Sequence, residues 1–301
     1  MLIFFKKALI FGLILLVLAS GMIYYLFRYG DAFYARFTSP KQTSLILGNS
    51  RAAQGIRPEI LNEVLVRNDI YNFSFTIEDS PYGAKYLQAI KKKLQNNVND
   101  GIFILSVDPW SLSSGGSNPN DENQFTELKG LFSTVSSYNQ NPNLEYIFNN
   151  FNELIFRFRQ SFYVHLHSDG WLEVNVGMEE TKIIKRAEKK VSEYKEKYSA
   201  KYHFSSVRLN YLRKTIQFLK KHGRVYLVRI PVSPQMLDLE NTYCPDFDEI
   251  ISKLASDENI PFKSWMDENN KYLYTDGNHL YYNTKPDFTH DIGNWIKGLQ
   301  K

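Results

Sequence analysis

From Ala8 to Phe27 the sequence holds an almost unbroken apolar run without a charge, and no other stretch restricts the fold so strongly. A run of about 20 such residues is what the core of a bilayer requires. It reads as a transmembrane helix or an uncleaved signal anchor. A cleaved signal peptide is the competing reading, because Leu18-Ala19-Ser20-Gly21 offers the small residues of a cleavage site, yet the apolar run continues past it through Met22 to Phe27. No cysteine follows that tetrapeptide, which leaves lipoprotein processing without an acceptor. Lys6 and Lys7 favour an N-terminus on the inside, with Arg28, Arg36 and Lys41 on the far side. The expectation is a single-pass protein, membrane-bound through residues 8–27, whose globular part is extracytoplasmic, in a periplasm or on an outer surface. Tyr24, Tyr25 and Tyr34 would form an aromatic belt at the outer interface.

Residues 1–42 are accordingly assigned to the anchor and a juxtamembrane linker, and residues 43–301 to one domain. With 43% hydrophobic and 23% charged residues the chain has the balance of an ordinary globular protein. Apolar strands alternate with helical patterns at its start: Leu45 to Leu47, then a helix from Pro58, a strand Ile70 to Phe75, a helix after Asp79-Ser80-Pro81, and the near-continuous apolar strand Gly101 to Val107. That order predicts an α/β fold, a doubly wound and mostly parallel sheet flanked by helices. The pattern breaks at about residues 111–202, an insertion with two polar loops. It also holds an apolar helix face from Leu144 to Phe158 that could cover a site, a hairpin around Ser168-Asp169-Gly170, and a charged helix read as a solvent-facing connector. The α/β pattern then resumes with a helix over Ser205 to Lys221 and the strand Arg224 to Ile230.

Several function classes drop out. The formal net charge is +4, but basic residues are scattered among acidic ones, so nucleic acid is not an expected partner. The single cysteine, Cys244, excludes an intrachain disulfide and a cysteine-based zinc site. His165 and His167 share one face of a strand, but no third ligand is evident nearby, so neither a metal nor another cofactor is expected. The 20 Tyr and 21 Phe residues would suit a carbohydrate-facing surface, although filling a core is the commoner use of such rings.

Two short motifs carry chemistry. Ser44-Leu45-Ile46-Leu47-Gly48-Asn49-Ser50-Arg51 reads as a buried strand ending in a glycine turn that presents a serine, at the edge where open α/β sheets bind ligands. Asp276-Gly277-Asn278-His279 places a carboxylate and an imidazole three residues apart in a loop before the last helix. A serine early and an Asp-x-x-His late can assemble a nucleophile, its general base and the group that orients the base.

The pair G-N-S-R and D-G-N-H resembles the first and last motif blocks of the SGNH (GDSL-like) hydrolase superfamily, in its membrane-anchored bacterial branch. The resemblance covers roughly Thr43 to the C-terminus, apart from the insertion. It implies an SGNH-like, flavodoxin-like sheet, Ser50 as nucleophile, and Asp276 and His279 as the rest of a triad. Two positions depart from the family pattern. Counting from Asn72, Ile77 stands where the family has a glycine whose N–H helps Ser50's own N–H hold an oxyanion, and Asp108 stands where it has a donating asparagine. An ionised Asp108 accepts hydrogen bonds and cannot donate one. Loss of one such donor typically costs about 10²–10³ in rate. Asn49, Arg51, Asn72 and Asp108 are candidates for contacting substrate or supporting the residues that do, and a pair between Arg51 and Asp108 would rationalise both departures. The resemblance implies a serine esterase or O-acyltransferase acting on acyl esters of cell-envelope polysaccharide. A catalytically inactive relative that binds glycan or an assembly partner is the alternative, and a purely structural membrane protein is the third reading.

Overall fold

The computed structural model describes residues 1–153, 163–285 and 287–300. It opens with α1 (Leu2–Gly30), a helix long and apolar enough to cross a membrane, its apolar stretch exposed. Asp31 interrupts it and caps α2 (Ala32–Thr38), its carboxylate accepting the N–H groups of Phe33 and Tyr34 at 2.9 and 3.2 Å. There follow β1 (Ser44–Leu47), α3 (Ser50–Gly55), α4 (Pro58–Leu65), β2 (Ile70–Asn72), α5 (Ala84–Lys93) and β3 (Gly101–Ser106). The middle of the chain forms β4 (Ser113–Gly115), the short helices α6 (Leu131–Thr134) and α7 (Leu144–Asn149), the hairpin β5 (Val164–Leu166) and β6 (Leu172–Val174), and α8 (Glu180–Glu193). The last part runs through β7 (Tyr202–Phe204), α9 (Ser206–Leu219), β8 (Gly223–Arg229), α10 (Pro234–Tyr243), α11 (Phe247–Asp257), β9 (Phe262–Ser264) and α12 (Phe288–Leu299).

Five strands pair in the order β2-β1-β3-β8-β9, all parallel. Their side chains alternate between two apolar clusters, as the pleat requires. Leu45, Leu47, Phe103, Leu105, Val225 and Leu227 face α5, α9 and α11, whereas Ile46, Ile102, Ile104, Tyr226 and Val228 face α3, α4 and α12. With helices on both faces there is no solvated side, which is why these strands read as continuous apolar runs. From β1 the chain winds outward to β2, then returns past β1 to β3 and on toward β9. That reversal opens a crevice at the carboxyl ends of β1 and β3.

The segment expected as a juxtamembrane linker is instead part of the core. Phe27, Tyr34 and Phe37 are fully buried and pack with Phe75, Phe132 and Tyr146. The buried Lys93 ammonium closes the end of α2, donating to the carbonyls of Arg36, Phe37 and Ser39 at 2.8–3.1 Å. Tyr34 and Phe37 turn inward, whereas Tyr29 stays exposed.

In the inserted segment, β4 and β7 pair antiparallel and bring its two ends together. Within the helix expected over Leu144 to Phe158, α7 spans Leu144–Asn149 and a 3₁₀ turn follows at Phe151–Glu153. Tyr146 of α7 packs against Phe27 and Tyr34 and donates to Asp31 at 2.9 Å, so this part of the face serves the junction with α1. Leu154 to Phe158 lie outside the described residues. The expected solvent-facing connector docks too: α8 carries Arg186, whose guanidinium donates to the carbonyls of Thr275 and Gly177, both at 2.7 Å. Tyr194 and Tyr198 just beyond it are buried against Trp110.

Candidate active site

The crevice brings Ser50, His279 and Asp276 into one line. Between β1 and α3 the backbone passes through Gly48 at φ +147°, where a Cβ would lie 2.8 Å from that of Ser106 and 3.1 Å from that of Ala52. Only glycine permits that approach. Asn49 then caps α3, its Oδ1 accepting the Arg51 N–H at 3.0 Å, and Ser50 occupies the first helical position. On the opposite wall Gly277 turns the chain at φ +78°, and a Cβ there would meet Ser233 Oγ at 2.8 Å. This turn folds Asp276 back so that its Oδ1 accepts the N–H groups of Asn278 and His279 at 3.0 and 2.9 Å.

Across the gap, His279 Nε2 lies 2.9 Å from Ser50 Oγ, and His279 Nδ1 lies 3.0 Å from Asp276 Oδ2. An ionised carboxylate only accepts, so Nδ1 carries the proton and Nε2 is left to accept from the serine hydroxyl. Burial pushes the Asp276 carboxyl up, but the His279 imidazole and the N–H groups on its Oδ1 outweigh it and hold the carboxyl well below the usual range.

The other residues singled out from the sequence occupy supporting places. Asn72 is fully buried and donates to the carbonyls of Ala52 and Ile56 at 2.8 and 2.9 Å, satisfying the end of α3. Asn49 donates through Nδ2 to Asp108 at 2.6 Å, and the second Asp108 oxygen accepts the Ser111 N–H at 2.9 Å. Burial raises the Asp108 pKa, with Arg51 opposing it. Ile77 packs at the margin of the Trp110, Tyr194 and Tyr198 cluster, while the adjacent Thr76 lines the cavity onto which Ser50 opens.

The hydrogen-bonded pair expected between Arg51 and Asp108 does not form. Both Asp108 oxygens are taken by neighbours, and Arg51 turns to Glu240 at 2.5 Å and to Asn278 Oδ1 at 2.7 and 3.0 Å. Glu240 also accepts from Arg229 at 2.8 Å and from the Trp110 indole at 3.0 Å. Burial alone would raise its pKa, but the two guanidinium groups lower it. Through Asn278, this buried cluster fixes the residue next to His279. Sequence reasoning missed Glu240 and Asn278 as parts of the site. Glu240 lies in a helix with no local cue, whereas the position of Asn278 inside the Asp-x-x-His loop was a usable signal.

His165 and His167 do share a face, with ring centroids 4.8 Å apart, and His167 Nε2 lies 2.7 Å from Glu173. Among the described residues no group of three His, Cys, Asp or Glu side chains is placed to hold a metal. Compared with protein-family models and with curated proteins, the chain matches none.

Proposed function

We propose that the chain is a membrane-tethered serine esterase or O-acyltransferase of the SGNH type, acting on acyl esters of a cell-envelope polysaccharide. The line from Ser50 through His279 to Asp276 carries this reading. The strand order and the position of Ser50 directly after β1 support an SGNH-like, flavodoxin-like arrangement. Residues 8–27 hold the protein in the membrane with the N-terminus inside and the domain outside.

In the reaction, Ser50 Oγ bonds to the acyl carbon while its proton passes to His279 Nε2, and Asp276 stabilises the imidazolium. The ester C–O bond then breaks, and the leaving alkoxide takes the proton from His279. Water completes an esterase cycle and a sugar hydroxyl completes an acyl transfer, each deprotonated in turn by His279. The N–H groups of Ser50 and Ile77 hold the developing oxyanion. Asp108 contributes no donor, and its engaged oxygens favour a slow hydrolase. The same observation supports the second reading, a non-catalytic glycan-binding or assembly protein.

A serine-directed fluorophosphonate applied to the full chain in detergent separates the two. Covalent labelling that disappears in Ser50→Ala and falls at least about 10³-fold in His279→Ala is the expected result. A folded wild type that does not label overturns the enzymatic reading and leaves the binding one.

A further inference from the structure

The cavity onto which Ser50 opens has a volume of about 770 Å³ and reaches the end of the membrane helix. Its wall includes Arg28, Tyr29 and Gly30 from the last turn of α1, and Phe33 and Arg36 from α2. Phe75, the hairpin residues Leu166, Leu172 and Val174, and Lys190 of α8 complete its character. It is therefore apolar along much of its length, carries two arginines and a lysine beside the imidazoles of His165 and His167, and lies next to the point where an anchor helix would leave a bilayer. Asp31 is the carboxylate on its described wall, and that group already caps α2 and accepts from Tyr146.

Arg36 distinguishes this cavity from a structural void. Among the described residues, four arginines are at least nine-tenths buried: Arg36, Arg51, Arg208 and Arg229. Three of them have carboxylate partners, Arg51 and Arg229 in Glu240 and Arg208 in Glu127. Arg36 makes its polar contacts to a carbonyl alone, that of Gly170 at 2.9 and 3.3 Å, and its Nη1 has no partner among the described residues. The guanidinium lies 5.4 Å from the centre of the Phe75 ring, another wall residue. A buried guanidinium on which Asp169 acts only through space, with no carboxylate in hydrogen-bond reach among the described residues, on the wall of an apolar cavity, is complementary to an oxyanion carried by an apolar molecule.

We propose that this cavity binds a bilayer-resident amphiphile with an anionic headgroup, its oxyanion at Arg36 and its chain along Phe75 and the hairpin. Resting on the serine reading above, this molecule is the acyl donor. Its ester bond breaks as Ser50 Oγ bonds to the acyl carbon, and its hydroxyl leaves with the proton relayed by His279. The polysaccharide hydroxyl is then the acceptor, and the polysaccharide ester is the product of the transfer.

The test uses the full chain as Ser50→Ala in phosphatidylcholine discs doped with photoreactive phosphatidylglycerol. Cross-linked peptides are read by mass spectrometry, so binding is scored without turnover. The expected result is labelling of the hairpin and the Phe75 segment. Unlabelled phosphatidylglycerol should compete, and inorganic phosphate or glycerol phosphate should not. Adding Arg36→Gln should cut that labelling about tenfold, Arg36→Lys should restore most of it, and labelling of α1 by bulk lipid should not change. Equal labelling of the hairpin by a photoreactive phosphatidylcholine, or competition by glycerol phosphate, overturns the proposal, and these two arms need no substitution at Arg36. Specific capture in a protein whose wild type ignores fluorophosphonate would uphold the binding site and sink only the serine chemistry.

Discussion

Arg51 and Arg36 are both buried, both on short helices, and treated in opposite ways. Arg51 meets Glu240 and grips Asn278, and its pKa is raised even though burial opposes the charge. Arg36 meets one carbonyl oxygen, and burial lowers its pKa. A charge removed from water demands compensation from its surroundings. At Arg51 the protein supplies it, and the side chain becomes a strut for the loop that holds His279. At Arg36 the protein leaves it incomplete, on the wall of the cavity onto which Ser50 opens.

The largest effect should come from cancelling the compensation. Glu240→Gln preserves shape but leaves Arg51 buried without its carboxylate and takes from Arg229 its buried partner, so unfolding in denaturant should show a loss of about 3–5 kcal/mol. A loss under about 1 kcal/mol would mean that the cluster is more solvated than its burial implies. A smaller effect should follow from keeping the charge and losing its shape. Arg51→Lys cannot donate to Asn278 from a planar fork, so fluorophosphonate labelling of Ser50 should slow about tenfold while the protein stays folded. An unchanged rate would remove Arg51 from the positioning of His279.

The smallest effect sharpens the contrast itself. Arg36→Met exchanges an incompletely compensated buried charge for an apolar side chain, and stability should move by no more than about 1 kcal/mol. The two variants should also differ in acid. Because the Glu240 pKa is lowered by folding, its contribution is fully present above the ordinary value of 4.5 and is lost as pH falls through the lowered one. The gap between wild type and Glu240→Gln should therefore narrow below about pH 4.5, whereas the gap for Arg36→Met should show no comparable slope. Denaturant titrations across that range read both.

How much of this could be seen in the sequence depended on range. The strand and turn from Ser44 to Arg51 and the Asp276 to His279 loop were legible because each is built from neighbouring residues. Gly48 and Gly277 mark turns that the backbone itself requires. The sheet was legible for the same reason, since β1, β3 and β8 are covered on both faces and announce it by unbroken apolar runs. The partner of Arg51 was not legible: Glu240 is 189 residues away, and Asp108, closer in sequence, looked as suitable until its oxygens were seen to be engaged. The burial of residues 31–38 was hidden because its cause is remote. Tyr146, Phe75 and the Gly170 carbonyl come from three separate segments, and without them Arg36 reads as one more surface charge.

The burial of α2 has a consequence for how the protein is handled in a cell. A domain on a loose tether can be clipped from its membrane and continue as a secreted form. Here Phe27, Tyr34 and Phe37 are at once the root of the anchor and part of the domain's core. A protease cutting between residues 27 and 42 would pull out interior aromatic rings along with the tether. Under the proposed membrane anchoring, shedding and unfolding are then a single event, and the packing of Phe27 sets how the crevice sits relative to α1.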